Sequence, residues 1–277
     1  MKITSEQLKA RIRNLSKAKN VETEIILCNF LFERFLERVS ISDYKDNFIL
    51  KGGMLITALV GIDARTTMDM DATIKGQTLS ESEINTIIES ILHIVIDDGI
   101  SFVLKSIKEI RAGADYPGFR VSIEAAFGKI CQIIKIDITT GDFITPSEIE
   151  YNFKLMFEDR TISIMAYNLE TILAEKVEAI ISRGITNTRM RDFYDIYILT
   201  NIQAFNSDIF KTALKKTAET RGTTEKMMDI DNVIQTIANN PTMISLWQSY
   251  QKEYVYATNV SWEMVIDALK RLAQKLR

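Results

Sequence analysis

Two aspartates one residue apart, Asp69 and Asp71, sit where acidic and apolar residues alternate, in the run Met68-Asp69-Met70-Asp71-Ala72. In an extended strand that alternation sends both carboxylates to one face, about 7 Å apart. Like charges so placed repel. A divalent cation such as Mg²⁺ relieves the repulsion, because hard cations take carboxylate oxygens and phosphates together. A matching phosphate site lies upstream, where Lys51-Gly52-Gly53 follows a short apolar strand, Phe48-Ile49-Leu50, and leads into an apolar helix from Met54 to Val60. The paired glycines let the backbone come close to a ligand, and the N–H groups of a helix start favour phosphate. Arg65, just ahead of the acidic strand, is a further candidate that either reaches a phosphate or neutralises Asp63.

A third carboxylate is expected from the strands that follow. From Ser101 to Phe157 the apolar period falls to two. Phe102 to Ile110, Phe119 to Ala125 and Ile130 to Ile138 are β-rich runs, parted by the turn from Gly113 to Gly118 and by Gly128-Lys129. Short turns between successive strands give an antiparallel meander that continues the central sheet. In the last run Asp137 alternates with Ile136 and Ile138, so it can point to the face bearing Asp69 and Asp71. The competing reading is a strand-end aspartate leading into the turn Thr139 to Asp142.

Helices must hold these strands in place. Ser5 to about Lys19 forms one, with Ser5 as its N-cap. A second, about Val21 to Val39, packs on the sheet through Ile25, Ile26, Phe30, Leu31, Phe32, Phe35 and Leu36, and turns Glu33, Arg34, Glu37 and Arg38 to solvent. Ser80 and Glu83 mark a capping box for a helix running to about Asp97. Around Thr161 the pattern turns helical and stays so. Asn168 caps a helix that carries Lys176 and stops at Arg183-Gly184, and Thr188 to Leu199 forms the next, with Asp192 in its first turn. A short connection lets Lys176 and Asp192 meet in a helical hairpin, as an ordinary ion pair or as part of a site. The expected division is an α+β domain over residues 1–160, a mixed sheet with flanking helices, followed by a helical lobe over 161–277.

Composition narrows the function classes. A chain of 277 residues, 46% hydrophobic, can bury one large core or two modest ones. Its net charge of −3 offers no global basic field for nucleic acid, so any RNA contact needs a local patch. Arg183, Arg189, Arg191, Lys211, Lys215, Lys216 and Arg221 are the residues available for one. Cys28 and Cys131 lack metal-ligand spacing and read as buried free thiols. The single histidine, His93, excludes multi-histidine zinc sites and reads as a helix-packing residue. A polar N-terminus and the lack of a long apolar run point to no signal peptide, no membrane span and a cytoplasmic protein.

Gly-Gly, a helix, an Asp-x-Asp strand and a third acid together resemble the nucleotidyltransferase superfamily typified by DNA polymerase β. With Leu173-Ala174-Glu175-Lys176 and Arg189-Met190-Arg191-Asp192-Phe193-Tyr194-Asp195 following in order, residues from about 25 to 200 resemble the AbiEii/AbiGii nucleotidyltransferase toxins of type IV toxin–antitoxin systems in abortive infection. The resemblance implies Lys51, Gly52 and Gly53 as the phosphate-facing turn, Asp69 and Asp71 as metal ligands, and Asp137 as the third carboxylate, which helps hold Mg²⁺ and activates the attacking hydroxyl. It implies Lys176 on the triphosphate, with Asp192 and Asp195 organising that lysine and the nucleotide pocket. It further implies an NTP substrate, a tRNA 3′ end as acceptor, a block of translation and a cognate antitoxin. Two alternatives remain open: an acceptor that is a protein or small molecule, and a protein that binds NTP without turnover. Past Asn201 no motif is legible.

Overall fold

The computed structural model describes residues 3–76, 80–110 and 118–276. Most of the turn expected from Gly113 to Gly118 lies outside the described residues. Two compact units emerge: one runs to Asp142 and takes in Glu148–Tyr167, and the other holds Phe143–Ser147 and the chain from Asn168 onward.

The first unit is built from α1 (Ser5–Lys19), α2 (Thr23–Ser40), β1 (Phe48–Lys51), α3 (Gly52–Val60), β2 (Met70–Ile74), α4 (Glu81–Leu92), β3 (Ser101–Glu109), β4 (Gly118–Phe127), β5 (Ile130–Thr140), β6 (Ile149–Lys154) and β7 (Thr161–Ala166). The strands form one mixed sheet in the order β3-β4-β5-β2-β1-β7-β6. β2 runs parallel to β5 and antiparallel to β1, and β7 runs parallel to β1. The expected meander is β3-β4-β5. Thr161–Ala166, expected as the onset of the helical region, is instead the strand that extends the sheet past β1. Its alternating burial is that of a half-covered strand.

Alternation sorts the sheet into two faces. Phe48 and Leu50, Met70 and Ala72, Ile134, Ile136 and Ile138, and Phe119, Val121 and Ile123 share one face and are all buried. α2 covers it, its Phe35 ring lying 5.8 Å from Phe48 and 6.4 Å from Phe102. The charged side of α2 departs from expectation, since Glu33, Arg34, Glu37 and Arg38 are buried rather than solvated. Arg38 Nη1 and Nη2 donate to the Asp98 carboxylate at 2.9 and 3.1 Å, and Arg34 pairs with Glu37 at 2.8 Å and Glu158 at 2.7 Å. Glu33 accepts from the Met156 N–H, and burial pushes its carboxyl up to about 8.

Local signals mostly act where they stand, with small shifts. Thr4 rather than Ser5 caps α1, in a capping box with Gln7. The Ser80–Glu83 box opens α4, but that helix ends at Leu92 rather than near Asp97. His93 is its exposed C-cap, with Nδ1 2.6 Å from the Glu89 carbonyl, and does not pack between helices. Cys28 is buried, but Cys131 is exposed, because β5 turns it away from the apolar face.

The second unit is helical, with α5 (Leu169–Arg183), α6 (Met190–Ile202), α7 (Ser207–Thr220), α8 (Thr224–Met228), α9 (Ile230–Ala238), α10 (Pro241–Glu253) and α11 (Trp262–Gln274). Asn168 caps α5 by accepting from Thr171 N at 2.8 Å, and Gly184 ends it. Buried Trp247 and Trp262 donate their indole N–H groups to the carbonyls of Val260 and Ala238, each at 3.0 Å. Buried aromatic rings thereby keep their polar edges satisfied. Among the described residues, no helix is long and apolar enough to cross a membrane.

Candidate active site

The register of four strands draws one row of charged residues across the face turned away from α2. Lys51 opposes Asp71, Asp71 opposes Asp137, and Asp137 opposes Arg120. Cross-strand partners share a face with Cβ atoms about 4.5–5.5 Å apart, so two carboxylates stand side by side with a cation at either end.

Asp71 lies against the start of α3. Gly52 has φ +64°, and a Cβ there would fall 2.1 Å from Asp71 Oδ2. The Gly53 N–H points at the same oxygen at 3.4 Å, a long contact that adds the positive end of the helix to the acid's surroundings. Asp69 lies one residue ahead of β2, which begins at Met70 rather than at Met68. Side chains account for the delay. Thr67 Oγ1 donates to the Asp69 carbonyl at 3.0 Å, Asn29 Nδ2 donates to the Thr67 carbonyl at 2.9 Å, and Thr57 Oγ1 donates to the Arg65 carbonyl at 2.9 Å. Backbone groups held this way are withdrawn from the ladder. The Asp69 side chain is exposed and has no hydrogen bond or ion pair among the described residues. Its charge is felt nearby: with burial and Glu24, it helps push the Cys28 thiol up to about 11.

The cations are placed differently. Lys51 is buried, and its ammonium donates to Thr139 Oγ1 at 2.7 Å and pairs with the Asp142 carboxylate. Arg65 is buried behind Gly53, where it donates to the Thr66 carbonyl, while the ion-pair partner of Asp63 is Lys19 at 3.2 Å. Arg120, which the sequence reading passed over, grips Asp137 with both arms, Nε to Oδ1 and Nη2 to Oδ2, each 2.7 Å. Those hydrogen bonds and the Asp137 charge raise the guanidinium's pKa, and Asp69 and Asp71 add to the rise. A usable signal existed. The Gly128-Lys129 hairpin pairs Phe127 with Ile130, and counting back from there sets Arg120 opposite Asp137.

A cation would find carboxylate donors at Asp69 and Asp71, with Asp137 in line but tied to Arg120. Among the described residues no three acidic, histidine or cysteine side chains are already gathered as a metal site. The donor chemistry suits a hard cation. In the second unit Lys176 Nζ lies 2.6 Å from Asp192 and 3.0 Å from Asp195, both buried, with Arg189 3.4 Å from Asp192. The expected lysine–aspartate meeting on α5 and α6 is present.

A family model described as nucleotidyl transferase AbiEii toxin, type IV TA system, matches residues 34–268. The chain belongs to the AbiEii nucleotidyltransferase toxin family. The match continues through the stretch past Asn201, where the sequence alone showed no motif. Solved structures show the same fold. A nucleotidyltransferase toxin from Mycobacterium tuberculosis, MenT4, aligns with a TM-score of 0.58 at 11% identity, covering 97% of this chain and 99% of that one. JHP933 from Helicobacter pylori aligns with a TM-score of 0.52 at 18% identity, covering 89% and 90%. A structure described as a nucleotidyltransferase from H. pylori aligns with a TM-score of 0.51 at 17% identity, covering 92% and 96%. No curated protein matches the sequence. The AbiEii protein is therefore a nucleotidyltransferase, and its family implies an NTP substrate and an antitoxin partner.

Proposed function

We propose that this AbiEii protein is an Mg²⁺-dependent toxin that moves an NMP from an NTP to the 3′ end of a tRNA and so stops translation in the cytoplasm until a cognate antitoxin restrains it. The observation that carries the reading is the register of Asp71 beside Asp137 on adjacent parallel strands, with Asp69 at the entry to β2 and the start of α3 on Asp71.

In the proposed reaction the acceptor hydroxyl oxygen bonds to the α-phosphorus, the bond to the β-phosphate oxygen breaks, and pyrophosphate leaves. Asp69 and Asp71 would hold the cation, and Mg²⁺, when bound, would supply positive charge that neutralises the phosphates for in-line displacement. Asp137 takes the hydroxyl proton, and the N–H groups opening α3 orient the phosphates. The family resemblance assigns Lys176, its ammonium fixed by Asp192 and Asp195, to the triphosphate.

The tRNA acceptor rests on the family resemblance. Of the basic residues available to it, Arg221 pairs with Glu175 and Glu178, and Lys215 and Lys216 lie within 4 Å of Glu219. Incubation with each labelled NTP, total tRNA and cell protein tests the reading. The expected result is label at tRNA 3′ ends that disappears in Asp69→Ala and Asp71→Ala. Label in protein but not RNA overturns the tRNA acceptor. NTP binding with no metal-dependent pyrophosphate release overturns the transferase.

A further inference from the structure

The charged row across β1, β2, β5 and β4 is balanced by unequal ends. Lys51 is buried and committed to Thr139 and Asp142. Arg120 has a side chain 44% exposed, against 19% for Asp137. Its grip takes both carboxylate oxygens, the fork geometry in which guanidinium binds carboxylate most tightly. Phosphate oxygens match the same fork. A dication approaching Asp137 would meet the guanidinium's charge as well as the carboxylate's, whereas among the described residues the Asp71 carboxylate across the strand pair has only the long Gly53 contact.

We propose that Arg120 is a positioning residue that holds Asp137 in reserve, away from the cation, until the phosphates of the substrate take the guanidinium in its place. The idea rests on the metal reading given above. It gives the chain a reason to assemble its third carboxylate only when a polyanion is present, so metal and nucleotide each favour the other's binding.

The test is Mn²⁺ binding to the nucleotide-free full-length protein, followed by electron paramagnetic resonance. Arg120→Gln is expected to bind Mn²⁺ about fivefold more tightly than wild type, and Arg120→Lys, which keeps the charge but loses the fork, to fall between them. Adding Asp137→Asn to Arg120→Gln should abolish the gain. At saturating Mn²⁺, Arg120→Gln should raise KM for NTP severalfold while kcat changes less. Affinity equal to or below wild type in both Arg120 variants, with melting temperatures unchanged, overturns the proposal, since a merely structural ion pair gives no tightening. Asp69→Ala and Asp71→Ala separate the two ideas. If they bind Mn²⁺ as well as wild type, the metal reading itself falls and the role of Arg120 falls with it. If they lose Mn²⁺ while Arg120→Gln gains nothing, only the role of Arg120 falls.

Discussion

Gly52→Ala is the sharpest single perturbation of the acidic row. The residue stands at φ +64°, a region that costs a side-chain-bearing residue about 1–2 kcal/mol. The added Cβ would lie 2.1 Å from Asp71 Oδ2, 2.7 Å from Cγ and 2.8 Å from Cβ. Rotating the carboxylate clears the oxygen only. The Asp71 Cβ is fixed to β2, so the strand or the start of α3 must move, and overpacking of that kind costs about 1–3 kcal/mol. Together the two costs come to roughly 2–5 kcal/mol, or a melting temperature lower by about 5–15 °C for a chain of this size. Transfer should fall further, by about 100-fold or more, because the displaced atoms are those that position the acid. Gly53→Ala is the control. No left-handed φ strains it, and its Cβ would meet Thr67 Oγ1 at 2.6 Å and Thr67 Cβ and Arg65 Nη1 at 3.2 Å, so the Thr67 contact to the Asp69 carbonyl must shift while Asp71 and β2 stay in place. Calorimetry and labelled-NTP transfer on both variants at one temperature decide the matter. A Gly52→Ala protein with wild-type melting and transfer, or a Gly53→Ala protein worse than it, refutes the placement of Asp71 against the helix start.

Three further outcomes are expected. Asp69→Asn and Asp71→Asn should each abolish transfer, whereas His93→Ala, altering an exposed helix end, should leave the rate within about twofold, as measured with labelled NTP. Lys176→Ala takes the ammonium away from two buried aspartates, of which Asp192 keeps Arg189 at 3.4 Å, so the loss in urea unfolding should stay below the roughly 3–5 kcal/mol of a fully broken buried pair, and transfer should weaken. Glu33 has a folded-state pKa raised to about 8 by burial. Its contribution to stability is therefore full below the unfolded pKa, near 4.3, and is lost as pH rises toward 8. Glu33→Gln keeps the neutral shape, so its urea stability should decline less over pH 5–8 than wild type's. An unchanged slope would remove Glu33 as the cause.

What the sequence could reveal depended on how local the cause was. The strand position of Asp71, the glycine pair opening α3, the Ser80 box and the Asn168 cap act over a few residues and are legible at sight, whereas the alternation expected to carry Asp69 gives way to a strand that begins at Met70. The charges of α2 are not. A helix with one apolar stripe reads as half wet, yet Arg34 and Glu33 meet Glu158 and Met156, residues more than a hundred positions away. Exposed Cys131 and exposed His93 fail similarly, since hydrophobic neighbours in sequence do not place a side chain on the inner face.

The acidic row shows the same limit within a single site. Arg120 and Asp137 are joined by a two-residue hairpin whose Gly128, at φ +56°, supplies the positive φ that such a turn requires at its first central position. Once that turn is recognised the pairing follows by counting, so Arg120 was readable in principle. Asp71 beside Asp137 was not. β2 and β5 run parallel with α4, β3 and β4 between them, and no turn fixes their register. What holds it is burial on the other face. Met70 and Ala72, wholly buried, lie beside equally buried Ile136 and Ile138. A slip of one residue would turn that apolar set outward and the aspartate into the core. The geometry of the proposed chemistry is thus set by aliphatic side chains that never touch the substrate. Accordingly, Ile136→Ala should lower transfer through the register of Asp137 as well as stability, whereas Ile133→Ala, at a 40% exposed position on the same strand, should change neither.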